Sequence, residues 1–356
     1  MSQSKHATEM IVSPQKKHNL KTVAAALQVS VATVSNAFNR PDQLSADLRQ
    51  KILQQCAELG YSGPNAAARS LRTGKSGIVA ILLSDTLEYS VSDPVANQLI
   101  KGVAEVLQQQ GRDLLLLSGT HNSNSSSAEA VPDGFIFYGA PNNPEQLQRI
   151  IRQQKPMITV DCNILGLPSV NIDNFSTARQ SALHAFSRMP GKVAVLGLRL
   201  INSDRVCRIQ PHELYASEQA ISRRRLEGYL AAAETAGRDI PAQAVWHIPV
   251  NQHDQAVMAA REALQQAQRP SVLLCMSDRI ALAALMVARE LSIAVPEQLV
   301  IVGFDGIEEG ERCFPALTTI QQHSAEKGRV AARRLLAGDL TGETELACDL
   351  VIRQSC

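Results

Sequence analysis

At 356 residues, 45% hydrophobic and 19% charged, the chain is too long for one small core and reads as two or three folding units. No apolar run approaches the roughly 18 residues of a membrane span, so no membrane partner is expected. The first twenty residues, MSQSKHATEMIVSPQKKHNL, hold no apolar signal segment. That predicts a cytoplasmic protein and argues against an exported solute receptor.

The net charge of +1 hides a partition. Residues 1–75 carry ten Lys/Arg against four Asp/Glu, which leaves the remaining chain at −5. A basic head on an acidic body predicts a polyanion partner for the head alone, although a merely solvated tail has the same charge. The seven cysteines are odd in number and widely spaced, with no CxxC pair, which argues for a reducing compartment and against a disulfide frame or a zinc site. No GxSxG, HExxH, P-loop or helix-opening GxGxxG occurs. We therefore expect no catalysis, cofactor or metal.

In chain order, residues 1–18 read as a disordered polar tail. Three short helices follow, over about 20–27, 31–38 and 45–59, with Asn19 and Ser30 placed as N-caps. Only Gln28-Val29-Ser30 separates the first two helices, so they form a helix-turn-helix whose second helix enters the major groove N-terminus first. Groove entry explains its small, uncharged side chains, and Thr33 and Ser35 can bond phosphate oxygens. A small packed bundle without nucleic acid is the bland alternative. Residues 63–75 read as a linker, because Gly63 and Pro64 break structure and NAAARSLR is too short to be helical unaided.

From Gly77 apolar strand-like runs alternate with helical patterns. Strands are expected at 78–83, 114–117, 135–138, 157–160 and 169–172, then at 193–198, 244–248, 272–275 and 300–304. Helices are expected at about 94–110, 144–153, 177–188, 223–235, 254–266 and 279–290. Alternation of this kind means doubly wound parallel sheets in two lobes, with ligands at the carboxyl ends of the strands. The Ser/Asn-rich stretch 118–134 lacks periodicity and reads as a flexible loop where a crossover helix belongs.

The stretches LKTVAAALQVSVATVSNAFN, ELGYSGPNAAARSLRTGKSG, VNIDN, RRRLEGY, SDRIALAAL, VPEQLVIVGFDG and PALTTIQQ resemble, in order, the LacI/GalR family of bacterial transcription regulators. The resemblance covers nearly the whole chain. It implies an N-terminal all-α helix-turn-helix domain (19–62), a hinge (63–75) and a two-lobed α/β periplasmic-binding-protein-like core (76–356). Lobe 1 would span about 76–186 and 322–346, and lobe 2 about 187–321 and 347–356. It implies a repressor that binds a pseudo-palindromic double-stranded operator as a homodimer. A small polar effector, sugar or sugar-like, would control it. Because the chain stops at Cys356 without a heptad-bearing tail, a dimer is expected and not a tetramer.

By family position, Val31, Ala32 and Asn36 face the bases. Many members carry Arg where Asn36 stands, and Asn suits adenine where Arg suits guanine. The hinge would fold in the minor groove with Leu71 wedged into a base step, Arg69 and Arg72 near phosphates, and Asn65 in contact with DNA. In the core the resemblance places Arg225, Asp305, Ser277 and Gln322 toward the ligand, Asp173 at the rim of the other lobe, and Tyr89, Ser92 and Asp93 on the opposite wall. An Arg fork and an Asp pair across a cleft suit a polyhydroxy compound. Read alone, Arg225 is also an ordinary surface charge and Asp305 an ordinary turn residue. The stretch 199–222 is longer than usual before the arginine motif. With 118–130 it keeps open a DNA binder whose cleft takes no effector.

Overall fold

Asn19 opens the first helix by accepting the amides of Lys21 and Thr22 on its side chain, while Thr22 accepts the Asn19 amide in return. In the computed structural model, which describes residues 19–61, 63, 74–120, 127–164, 166–214 and 220–356, the chain divides into two compact units, Met1–Ser76 and Gly77–Cys356. In the first, α1 (Leu20–Ala26), α2 (Val31–Asn39) and α3 (Ala46–Glu58) enclose Val23, Ala24, Val34, Ala37, Ile52, Cys56 and Tyr61. The turn between α1 and α2 needs a left-handed residue, and Gln28 supplies it at φ 55°. Burying a side chain such as Val34 is worth roughly 1.5–3 kcal/mol, so a charge there would open this small core. The expected tail 1–18 and most of the expected hinge lie outside the described residues.

The second unit runs in chain order through β1 (Ile78–Leu83), α4 (Leu87–Ser92), α5 (Pro94–Gln109), β2 (Asp113–Ser118), β3 (Gly134–Tyr138), α6 (Pro144–Ile151), β4 (Met157–Val160), β5 (Ser169–Ile172) and α7 (Asn174–Arg188). It continues through β6 (Val193–Leu198), β7 (Cys207–Arg208), α8 (Pro211–Leu214), α9 (Ile221–Thr235), β8 (Val245–Ile248), α10 (His253–Leu264), β9 (Val272–Cys275), α11 (Asp278–Glu290) and β10 (Val300–Val302). It ends with α12 (Glu308–Arg312), β11 (Thr319–Gln321), α13 (Ser324–Ala337), β12 (Glu343–Leu346) and β13 (Asp349–Val351). A six-stranded parallel sheet, β12-β5-β4-β3-β1-β2, forms one lobe. A five-stranded sheet, β10-β9-β6-β8-β7, forms the other, with β7 antiparallel at its edge. Along β1, Val79, Ile81 and Leu83 enter one apolar layer while Ala80 and Leu82 enter the layer on the opposite face. Strands covered on both faces therefore read as continuous apolar runs.

Four details depart from the sequence reading. First, α7 does not close lobe 1 at about residue 186. Its Ala178, Ala182, Ala185 and Phe186 stripe packs with Leu226 and Tyr229 of α9 in the second lobe's core, so the chain crosses over just after Ile172. Second, α13 was not foreseen. It packs on α5 so closely that a Cβ on Gly102 would sit 1.9 Å from the Ala325 carbonyl oxygen, and one on Gly328 would sit 2.3 Å from that of Leu99. Third, the stretch 118–134 is not wholly a loose loop. Ser127–Ala130 forms a 3-10 turn whose buried Glu129 accepts bonds from Arg149 and Gln146, while 121–126 lie outside the described residues. Fourth, residues 87–92 form a helix, and the last long strand of the second sheet stops at Val302.

Candidate functional site

The second helix of the small unit presents its first turn outward. Val31 is 41% exposed, Ala32 is exposed, and Thr33, Ser35 and Asn36 are half-buried on the flank, while Val34 and Ala37 anchor the opposite face. Ser30 caps the helix by accepting the Thr33 amide at 3.0 Å, and its hydroxyl lies 2.7 Å from that of Thr33. Thr33 is thus already engaged in the cap. The far end is also held. Arg49 of α3 donates from Nε to the Ala37 carbonyl at 3.0 Å, placing a cation where the helix dipole is negative. Apolar Val31 and Ala32 can offer contact to thymine methyls, and Asn36 a bidentate amide to adenine. Asn65, Arg69, Leu71 and Arg72 lie outside the described residues.

In the large unit a cavity of about 190 Å³ lies between the lobes, at the carboxyl ends of β1, β3, β6 and β9. It is lined by six of the eight core residues singled out from the sequence: Arg225, Asp305, Ser277, Gln322, Tyr89 and Asp93. Asp173 is not among them. It caps α7 by accepting the Ser176 amide at 3.0 Å, because the crossover places it at a helix start. Ser92 is not among them either, its hydroxyl donating to the Tyr89 carbonyl at 2.8 Å, whereas its neighbour Asp93 lines the cavity.

Arg225 is immobilised on all sides. Nε donates to Asn174 Oδ1 at 2.9 Å and Nη1 to the Met276 carbonyl at 2.7 Å. The guanidinium lies 3.6 Å over the Phe304 ring, and Asp305 is 3.7 Å away. Asp305 sits at φ 132°, a conformation that costs a non-glycine residue about 1–3 kcal/mol and persists only where the surroundings enforce it. Burial pushes its carboxyl well above the usual range, and Arg225 opposes that rise.

A polar chain continues from there. Gln322 Nε2 donates to Asp305 Oδ1 at 2.7 Å and its Oε1 accepts Lys327 Nζ at 2.7 Å. Lys327, fully buried, pairs with Asp161 at 2.5 Å. Asp161 follows β4 of the first lobe and Asp305 follows β10 of the second, so this network spans the cleft floor. Sequence reasoning missed Asp161 and Lys327. Ser277 holds the start of α11 by accepting the Ile280 amide at 3.2 Å and donating to Asn251 at 2.7 Å. Burial raises Asp93 and, beside it, Tyr89. At the cavity's edge Asp85, after β1, receives both Nη groups of Arg199, after β6, at 2.9 and 3.2 Å. No group of three or more side chains among the described residues is arranged to hold a metal.

Comparison with known proteins agrees in both units. Residues 19–65 match the model for bacterial regulatory proteins of the lacI family, and residues 207–356 match a periplasmic binding protein-like domain. The HTH-type transcriptional regulator Rv3575c of Mycobacterium tuberculosis is 35% identical over 344 residues, 94% of each chain. Among solved structures, the lac repressor dimer bound to operator and the anti-inducer ONPF is similar at a TM-score of 0.73 and 20% identity, covering 96% of this chain and 99% of that one. The complex of transcriptional regulator CelR with cellobiose is similar at a TM-score of 0.64 and 24% identity, covering 96% and 100%. With a helix-turn-helix head, a two-lobed parallel-sheet core and relatives of this kind along almost its whole length, the chain belongs to the lacI family of bacterial regulatory proteins and is a DNA-binding transcriptional regulator.

Proposed function

We propose that the protein is a cytoplasmic repressor without catalytic activity. It binds a pseudo-palindromic duplex operator as a homodimer and is controlled by a neutral polyhydroxy compound held between the lobes. Val31, Ala32 and Asn36 read bases and Ser35 helps set register on phosphate, with Thr33 stiffening the helix start. Asn65, Arg69, Leu71 and Arg72 add minor-groove contact. Arg225, Asp305, Ser277, Gln322 and Tyr89 orient the ligand.

The observation that carries the ligand class is charge balance within the cleft. Both guanidinium groups that line the cavity are committed, Arg225 to Asn174, Met276 and Asp305, and Arg199 to Asp85 and the Pro249 carbonyl. A phosphate would arrive without a spare cation and face Asp93 and Asp305, whereas hydroxyl groups can donate to these carboxylates. The volume, below the roughly 300–1,000 Å³ of drug-sized pockets, suits a single sugar ring. The naming of one similar structure as a cellobiose complex supports a carbohydrate. A ligand that shifts one lobe against the other would change the geometry offered to DNA by two protomers.

The first test is a thermal-shift screen of the full chain with neutral sugars, polyols and nucleosides against sugar phosphates. A neutral compound should raise the melting temperature by mass action. If only phosphorylated compounds do so, the charge argument is wrong. If nothing does, the DNA binder with an idle cleft is the better reading. Selection of bound duplexes should return a half-site repeat.

A further inference from the structure

Arg199 stands on an unusual backbone and is held from three directions. It has φ 51°, its amide donates to the Ile248 carbonyl at 2.9 Å, and its Nε donates to the Pro249 carbonyl at 3.3 Å. The loop it opens is tied to a buried histidine on β8. His247 Nδ1 lies 3.0 Å from the Leu200 amide and 3.3 Å from that of Ile201, and its Nε2 lies 2.9 Å from the Ser203 carbonyl. Two amides must donate to Nδ1, so this nitrogen carries no proton and Nε2–H donates to Ser203. The ring can therefore hold the loop only while neutral. The side chain so placed reaches across to the other lobe and takes both oxygens of Asp85. Arg199 also lies 5.9 Å from the centre of the Tyr89 ring, and nearby a bond runs from Arg279 to the Ser92 carbonyl.

We propose that Arg199 and Asp85 form a latch that holds the two lobes together over the cavity, and that neutral His247 is the positioning residue that seats it. This rests on the reading of the cleft as a ligand site, because a latch over an idle cavity would regulate nothing. A ligand entering the cavity must open this pair or replace it. The loop after β6 thereby becomes the gate of the site.

The charged groups around His247 are Glu213 of α8, which favours its protonation, and Arg223 of α9, which opposes it. Arg208 of β7 is turned onto Trp246 and Glu262. Burial is the largest influence and holds the imidazole below its ordinary value. The folded-state value is depressed, so the seat is intact above the ordinary histidine range. It is lost as the pH falls through the lowered folded value.

Hydroxyl-radical footprinting of the full ligand-free chain tests this without knowing the ligand. Met276 is fully buried and lines the cavity, and its sulfur accepts the Leu198 amide. Met157, 5% exposed, is also buried but lies in the first lobe's own core, where only unfolding would expose it further. Asp85→Asn and Arg199→Gln should each speed oxidation of Met276 several-fold and leave Met157 unchanged. The charge exchange Asp85→Arg with Arg199→Asp should restore protection. In the wild type, Met276 should become reactive on acidification before Met157 does. His247→Gln, which keeps an acceptor and a donor in place of the ring nitrogens, should remove that pH step. Equal Met276 protection in the single variants, or Met276 and Met157 rising together in all of them, overturns the latch. A pH step that survives His247→Gln overturns the seat. The thermal-shift screen is a separate readout: a ligand that binds while Met276 stays protected in every variant sinks the latch and spares the ligand site.

Discussion

The recognition helix and the interlobe cleft make opposite demands on the chain. The helix is a local object. Its cap, turn, apolar anchors and outward residues fall within about a dozen consecutive positions, and Arg49, Ile52, Cys56 and Tyr61 hold it from nearby in the chain. The cleft floor is assembled from Asp161, Arg225, Asp305, Gln322 and Lys327, drawn from four separate stretches and joined by side-chain bonds. A change in the helix should alter which duplex is bound and leave the large unit's stability alone. A change in the floor should act first on stability, because its charges are buried and lean on one another.

The largest effect expected from that contrast is at Lys327. Lys327→Met strands Asp161 as an uncompensated partner and should cost about 3–5 kcal/mol, read as a fall in the urea midpoint of the large unit. A cost under about 1 kcal/mol would mean that the network holds nothing together. Next comes Asn36→Ala, which should weaken operator binding by roughly 1–3 kcal/mol at one base position and leave binding to random duplex unchanged. Equal loss on both in competition titrations would show Asn36 to be a general contact. The smallest effect is at the cap. Ser30→Ala should lower the stability of the small unit by about 1 kcal/mol, followed by far-ultraviolet circular dichroism. No change there would mean that the Ser30–Thr33 pair contributes nothing to the helix start.

The elements themselves were largely readable because each leaves a local trace. Continuous apolar runs marked β1, β6 and β9, and Asn19 and Ser30 marked the first two helix starts. Helix α13 was missed because its apolar stripe, Ala331, Ala332 and Leu335, is short and set among charges, and its reason for being helical is a partner, α5, more than 200 residues earlier. Asp173 caps α7 and is not among the residues lining the cavity, and a carboxylate that caps a helix and one that lines a cleft look alike in a string. Asp161 and Lys327 carried no motif at all, and what marks them is burial, which no neighbour in sequence reports.

The order of residues alone decided where strands and helices begin, which segment can enter a groove, and that the core has two parallel-sheet lobes, since propensity, capping and apolar period act over a few positions. Only the folded core decided that α7 belongs to the second lobe, that a buried lysine joins the two halves of the cleft floor, and that Arg199 reaches Asp85. Each of these depends on long-range packing, and the energy of a buried charge is set by whatever the fold brings within a few ångströms of it.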